Sequence, residues 1–198
     1  MILNNQQKNR GFTIVEAMVA ILILTISVSA MLGITASSAA SARYANNEIT
    51  ANYLLQEAVD SIRNSRDTLA FQMKDTGGGW DKFLLRYGSP SDKCFSTDNG
   101  CILIMEEFDP ADIGGSDIEE CDSDTGCPYL DYNEDDRVFY NYSPELNTPP
   151  NSPFKRTVNM ENINEDEVKI TANIKWLNGD ETIERTQTLT IYLLNWQK

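Results

Sequence analysis

The chain has no histidine among its 198 residues. That excludes Ser-His-Asp and Cys-His nucleophile systems, His-bearing zinc sites and the usual side chain for acid–base work near neutral pH. Positive charge is also short, with 16 Lys and Arg against 30 Asp and Glu, a net charge of −14. Non-specific nucleic-acid binding rests on cations that neutralise phosphates, so no nucleic-acid partner is expected. Proline is scarce, with none before Pro90, and 11 Gly, 7 Pro and 4 Cys exclude collagen-like, Pro-rich and Cys-dense classes. The 41% hydrophobic content suffices for one ordinary domain with an appended segment.

What is present is unevenly placed. No basic residue lies between Lys93 and Arg137, and 14 carboxylates fall there, from Asp98 to Asp136. The rest of the chain balances, with 16 acids and 16 bases. Cys94, Cys101, Cys121 and Cys127 lie in the same acidic loop, 94–136. Their C-x6-C and C-x5-C spacings do not match the short hooks of structural zinc sites. Two local disulfides fit a region outside the cytoplasm, and four free thiols are the alternative. Four cysteines allow three pairings, of which Cys94–Cys101 with Cys121–Cys127 is the simplest.

At the other end, Lys8 and Arg10 precede 26 uncharged residues, Ala17 to Ala42, closed by Arg43. As a helix rising about 1.5 Å per residue this stretch spans roughly 39 Å, enough for a hydrocarbon core of about 30 Å. Lys8 and Arg10 are expected to stay cytoplasmic, which exports everything after Arg43. The apolar run is longer than a secretory signal core, and Glu16 interrupts its start. A charge within a membrane helix costs on the order of 2.5–3.5 kcal/mol, so Glu16 calls for a partner.

The segment Gly11-Phe12-Thr13-Ile14-Val15-Glu16, with the polar basic stretch Asn4 to Arg10 before it, closely resembles the cleavage and methylation motif of type IV prepilins and type II secretion pseudopilins. The resemblance implies that a membrane aspartyl prepilin peptidase/methyltransferase cuts between Gly11 and Phe12 and methylates the new N-terminus at Phe12. It also implies that Glu16 pairs with the N-terminal ammonium of a neighbouring pilin or pseudopilin subunit during assembly. The cytoplasmic (inner) membrane and its assembly platform follow as partners, and the implied role is structural rather than enzymatic.

The helical pattern continues past Arg43. Ala51, Leu55, Ala58, Val59 and Ile62 share one face, with Asn52, Gln56, Asp60 and Arg63 off it. The expected fold is α+β and pilin-like: a long N-terminal helix, about 12–71, packed on a small antiparallel head. The expected divisions are a leader 1–11, a transmembrane and assembly helix 12–42, an amphipathic continuation 43–73 and an exported β-rich head 74–198. Gly77-Gly78-Gly79 reads as a flexible helix exit. Ile102–Phe108 and Arg137–Tyr142 read as strands. A three-strand meander is expected from Phe154–Met160 with Phe154, Val158 and Met160 inward, from Val168–Trp176, and from about Thr182–Trp196 after an Asn178-Gly179 turn. Leu189, Ile191 and Leu193 share a face of the last strand.

Asp131-x-Asn133-x-Asp135 has the oxygen spacing of a calcium loop, but Asp136 stands where an EF-hand has glycine and Tyr142 where it has the bidentate glutamate. Asp122-x-Asp124-x-Gly126 is a second partial match. Some pseudopilins bind calcium in their heads; the other reading is a solvated acidic loop pinned by disulfides. Tyr129, Tyr132, Tyr140 and Tyr142 read either as a recognition surface or as edge aromatics. The resemblance points to a minor subunit of a pilus or secretion pseudopilus. A filament-tip binding module using the acidic loop and a single-span anchored protein that never assembles are the competing classes.

Overall fold

The computed structural model describes residues 11–96, 99–105, 108–133, 138–141, 152–177 and 184–196. The chain divides into two units, Met1–Asn46 and Asn47–Lys198, and the first helix, α1 (Ile14–Gln72), contributes to both. It begins two residues after the expected Phe12, because Thr13 takes the N-cap position.

In the first unit every residue from Met18 to Tyr44 except Tyr44 itself is exposed. Phe12, Ile14, Ile21, Leu24 and Leu32 are each about 60–80% exposed, and the helix is long and apolar enough to cross a membrane. Its hydroxyls turn inward on the helix backbone: Thr25 donates to the Leu22 carbonyl, Ser27 to Ile23, Ser29 to Thr25, Thr35 to Met31 and Ser41 to Ser37. Each bond removes a donor that would be costly in hydrocarbon, so the segment can leave water without stranding those groups.

In the second unit α1 becomes amphipathic. Ala51, Leu54, Leu55, Ala58, Val59, Ile62, Ser65 and Leu69 are buried at helical spacing, while Asn52, Gln56, Asp60 and Arg63 remain exposed. This stripe faces the inner side of a five-stranded antiparallel sheet. The strands are β1 (Cys101–Leu103), β2 (Ile118–Glu120), β5 (Phe154–Asn164), β6 (Glu167–Leu177) and β7 (Glu184–Leu194), in spatial order β2-β1-β5-β6-β7. A separate hairpin pairs β3 (Leu130–Asn133) with β4 (Val138–Asn141).

The β5–β6–β7 meander follows its sequence alternation. Phe154, Val158 and Met160 on β5 and Val168, Ile170, Ala172, Ile174 and Trp176 on β6 are buried, and Leu193 of β7 joins them. Leu189 and Ile191 are only partly covered, since β7 is the sheet edge among the described strands. The Asn178-Gly179 turn lies outside the described residues.

The sequence pattern does not signal β2 and β3, so the expected three-strand meander is extended by β1 and β2 to five strands. Three other elements depart from expectation. The glycine run is not a plain exit: Gly77 and Gly78 take positive φ (71° and 82°) and turn the chain directly into a second helix, α2 (Gly79–Arg86). Trp80, Phe83 and Tyr87 stack along it, with ring centroids 5.4 and 5.1 Å apart, and all three are buried. Their i, i+3, i+7 spacing is the local signal for that helix. Second, the strand expected over Ile102–Phe108 stops at Leu103. The chain leaves the sheet there to close a loop, and returns where the Ile104 amide donates to the Asp117 carbonyl at 2.8 Å. Third, the strand expected at Arg137–Tyr142 is Val138–Asn141, with both terminal residues outside the described set.

Candidate assembly segment and acidic head region

At the N-terminus the geometry is local. The Glu16 amide donates to Thr13 Oγ1 at 3.2 Å, and the Ala17 amide donates to the Thr13 carbonyl at 3.1 Å. Thr13 is therefore the N-cap and Glu16 stands at the third helical position, the Thr-x-x-Glu arrangement of a capping box. A carboxylate there lies against the positive end of the helix dipole. This role of Thr13 was missed by reading Glu16 only as a membrane charge; the Thr-x-x-Glu spacing was its signal. Gly11 and Phe12 precede the cap in exposed, non-helical chain. Lys8 and Arg10 lie outside the described residues.

Residues 6–32 match the family described as the prokaryotic N-terminal methylation motif. No curated protein and no solved structure matches the chain. With the motif at the head of a long apolar helix, and a helix-on-antiparallel-sheet unit after it, the fold is pilin-like. The motif supports a type IV pilin-like or pseudopilin subunit, and it implies processing by prepilin peptidase and assembly with other pilins.

In the head of this pilin-like chain the cysteines pair as Cys94–Cys101 and Cys121–Cys127, with no free cysteine. The first bond ties the turn at Lys93–Phe95 to the start of β1, and both its cysteines are fully buried. The second closes the Asp122–Gly126 turn beside β5, where Thr157 Oγ1 lies 3.0 Å from Cys127 Sγ. Closing a loop this short stabilises by about 2 kcal/mol through the unfolded chain. The double variant Cys121→Ser/Cys127→Ser is expected to lose about that much in urea unfolding of the intact chain.

Two acidic side chains of the region, Asp112 and Asp122, are each held by backbone and hydroxyl donors. Asp112 accepts from the amides of Gly114 and Ser116, both at 2.9 Å, and from the Ser116 hydroxyl at 3.0 Å. Asp122 Oδ1 accepts from the amides of Asp124 (2.8 Å) and Thr125 (2.9 Å) and from the Thr125 hydroxyl. These amides, Ser116 foremost for Asp112 and Thr125 for Asp122, hold both carboxyls below the ordinary aspartate range. Each folded value lies below the unfolded one, so the stabilisation is complete above about pH 4 and is lost as pH falls through the depressed values. Amide exchange at Gly114, Ser116, Asp124 and Thr125, corrected for intrinsic rates, should accelerate on acidification before exchange in β5 and β6 does.

Beneath this surface lies a charge pair that the sequence does not announce. Arg86, at the end of α2, is fully buried and donates to Asp117 Oδ2 at 2.5 Å and to the Asp112 carbonyl. Burial pushes the Asp117 carboxyl up, and the Arg86 guanidinium pulls it back. Burial also pushes the neighbouring Tyr87 hydroxyl up to about 12, so it stays neutral. A second inward arginine, Arg156 of β5, donates to the Leu54 carbonyl of α1 at 3.1 Å and to Glu57 at 2.6 Å. It takes the inner-face position between Phe154 and Val158.

Of the calcium candidates Asp131, Asn133 and Asp135, the Asn133 side chain and Asp135 lie outside the described residues. Among the described residues no group of three His, Cys, Asp or Glu side chains converges. Of the tyrosines, Tyr132 stacks on Phe139 (4.9 Å), which meets Phe154 (5.7 Å) and through it Trp176 (6.1 Å). That chain of rings joins the β3–β4 hairpin to the core, so Tyr132 acts as a packing residue. Tyr129 carries the Lys155 ammonium over its ring at 5.0 Å. The Tyr140 side chain and Tyr142 lie outside the described residues.

Proposed function

We propose that the chain is a minor subunit of a type IV pilus or type II secretion pseudopilus. In this reading it is made as a single-pass precursor in the cytoplasmic membrane, with Lys8 and Arg10 on the cytoplasmic side and the head exported. Prepilin peptidase cuts between Gly11 and Phe12 and Phe12 is N-methylated. The subunit then enters a filament through α1. The observation that carries this is the methylation-motif match at residues 6–32 running directly into an exposed apolar helix. So much apolar surface is unstable in water, and burial worth about 25 cal/mol per Å² drives it first into lipid and then against other helices. Small residues at Ser29, Ala30, Gly33, Ala36 and Ser37 permit close helix approach.

Intact-mass measurement of the protein recovered from its own cells tests the processing step. The expected product lacks residues 1–11 and carries one added methyl group. An unprocessed N-terminus would instead assign the chain to the class of single-span anchored proteins. Quantifying the chain in sheared filaments tests the assembly step: a minor subunit is present there far below stoichiometric amounts.

A further inference from the structure

The stretch Asp109–Asp117 closes around two cations that belong to the protein. Arg86 reaches it from α2, bonding the Asp112 carbonyl and, at 2.5 Å, the Asp117 carboxylate. Lys93 reaches it from the turn before β1, and its ammonium donates to the carbonyls of Gly114 (3.2 Å) and Gly115 (2.7 Å). The backbone is shaped to allow this. Lys93 is the only non-glycine residue with positive φ among the described residues, at 47°. Gly115 has φ 61°, and a Cβ there would stand 2.5 Å from the Arg86 carbonyl and 3.1 Å from the Lys93 ammonium. A side chain at position 115 would push the loop off both.

Convergent carbonyls and carboxylates from one short acidic loop form the hard oxygen set that suits calcium. Here those oxygens already face an ammonium and a guanidinium. A divalent ion in the same place would meet both positive charges at close range, and would find Asp112 occupied by amides. The donor set therefore does not fit an added metal. We infer that Arg86 and Lys93 are the resident cations of the Asp109–Asp117 loop, and that this part of the exported acidic region keeps its shape without calcium. Lys93 acts as a positioning residue: it gathers two carbonyls that would otherwise repel each other and fixes the loop against the turn at Lys93–Phe95.

Hydrogen exchange of the 109–117 amides, in the full chain solubilised in detergent, tests this in excess chelator and in millimolar calcium. Wild-type rates are expected to be equal in the two solutions. Lys93→Met, at a half-exposed site that tolerates the change sterically, is expected to exchange about tenfold faster or more around Gly115, as for loss of a charge-assisted hydrogen bond. Calcium that protects the Met variant while leaving wild type unchanged also supports the inference, because it reveals the donor set that the lysine fills. Slower wild-type exchange in calcium than in chelator overturns it. So does a Met variant that exchanges at the wild-type rate in chelator.

Discussion

Replacing Arg86 by Met is expected to destabilise the head by about 3–5 kcal/mol. The methionine fills much of the aliphatic volume, so the main loss is electrostatic. Asp117 is fully buried and would keep a carboxylate with its charge partner gone. Its position is fixed from both sides, because its backbone carbonyl accepts from Ile104 where the loop rejoins the sheet. It cannot swing to water without opening that junction.

Two further outcomes separate this account from simple loss of packing. With the guanidinium gone, burial acts on Asp117 without its main opponent, and the carboxyl rises further above the unfolded value. A carboxyl raised in the folded state contributes most below the unfolded pKa and loses that contribution as pH rises through the folded one. The deficit of Arg86→Met should therefore be smaller near pH 4 than at pH 7. The double variant Arg86→Met/Asp117→Leu should recover most of the loss, since replacing a whole buried pair by apolar groups is often close to neutral. Urea unfolding of the intact chain, followed through tryptophan fluorescence (Trp80 lies in α2, the helix that carries Arg86), measures all three. A loss independent of pH, with no recovery in the double variant, would falsify the electrostatic assignment.

Glu16→Ala is expected to reduce incorporation into filaments by about 100-fold or more while leaving cleavage after Gly11 intact. In the proposed assembly Glu16 pairs in trans with the Phe12 ammonium of a neighbour. A carboxylate placed in a membrane helix costs on the order of 2.5–3.5 kcal/mol, and the pairing offsets that only after assembly. Removing the acid leaves the ammonium buried alone, with a penalty of about 3–5 kcal/mol, which corresponds to the stated factor. Glu16 also occupies the third position of the Thr13 cap, but that role rests on its backbone amide, which alanine retains. Helix initiation should thus survive in the variant, and the defect should be one of assembly. Intact mass reports cleavage and the amount in sheared filaments reports incorporation; wild-type incorporation would sink the pairing.

Much of this protein was legible from the chain alone. The Gly11–Glu16 motif and the apolar run behind it are contiguous, so no tertiary knowledge was needed to see them. The buried stripe of α1 and the alternation of β5 and β6 are likewise periodic signals, readable wherever neighbours in sequence share one environment. What periodicity does not carry is the identity of a distant partner. Arg86 finds Asp117 31 residues away and Arg156 finds Glu57 99 residues away. Each arginine reads as surface by composition, and only the arrival of a carboxylate or a helix carbonyl from elsewhere makes its burial affordable in free energy.

The same reason governs the acidic region. From sequence, Asp98 to Asp136 is a block of charge that invites a metal or plain solvation, and three cysteine pairings stand open. Tertiary structure decided which amides meet Asp112 and Asp122, which cysteines meet each other, and that Lys93 and Arg86 point into the Asp109–Asp117 loop. The sequence determined where the negative charge lies and where the long apolar helix runs. Only the fold determined which cations it closes around, because that depends on bringing α2, the turn at Lys93 and the loop before β2 to one place.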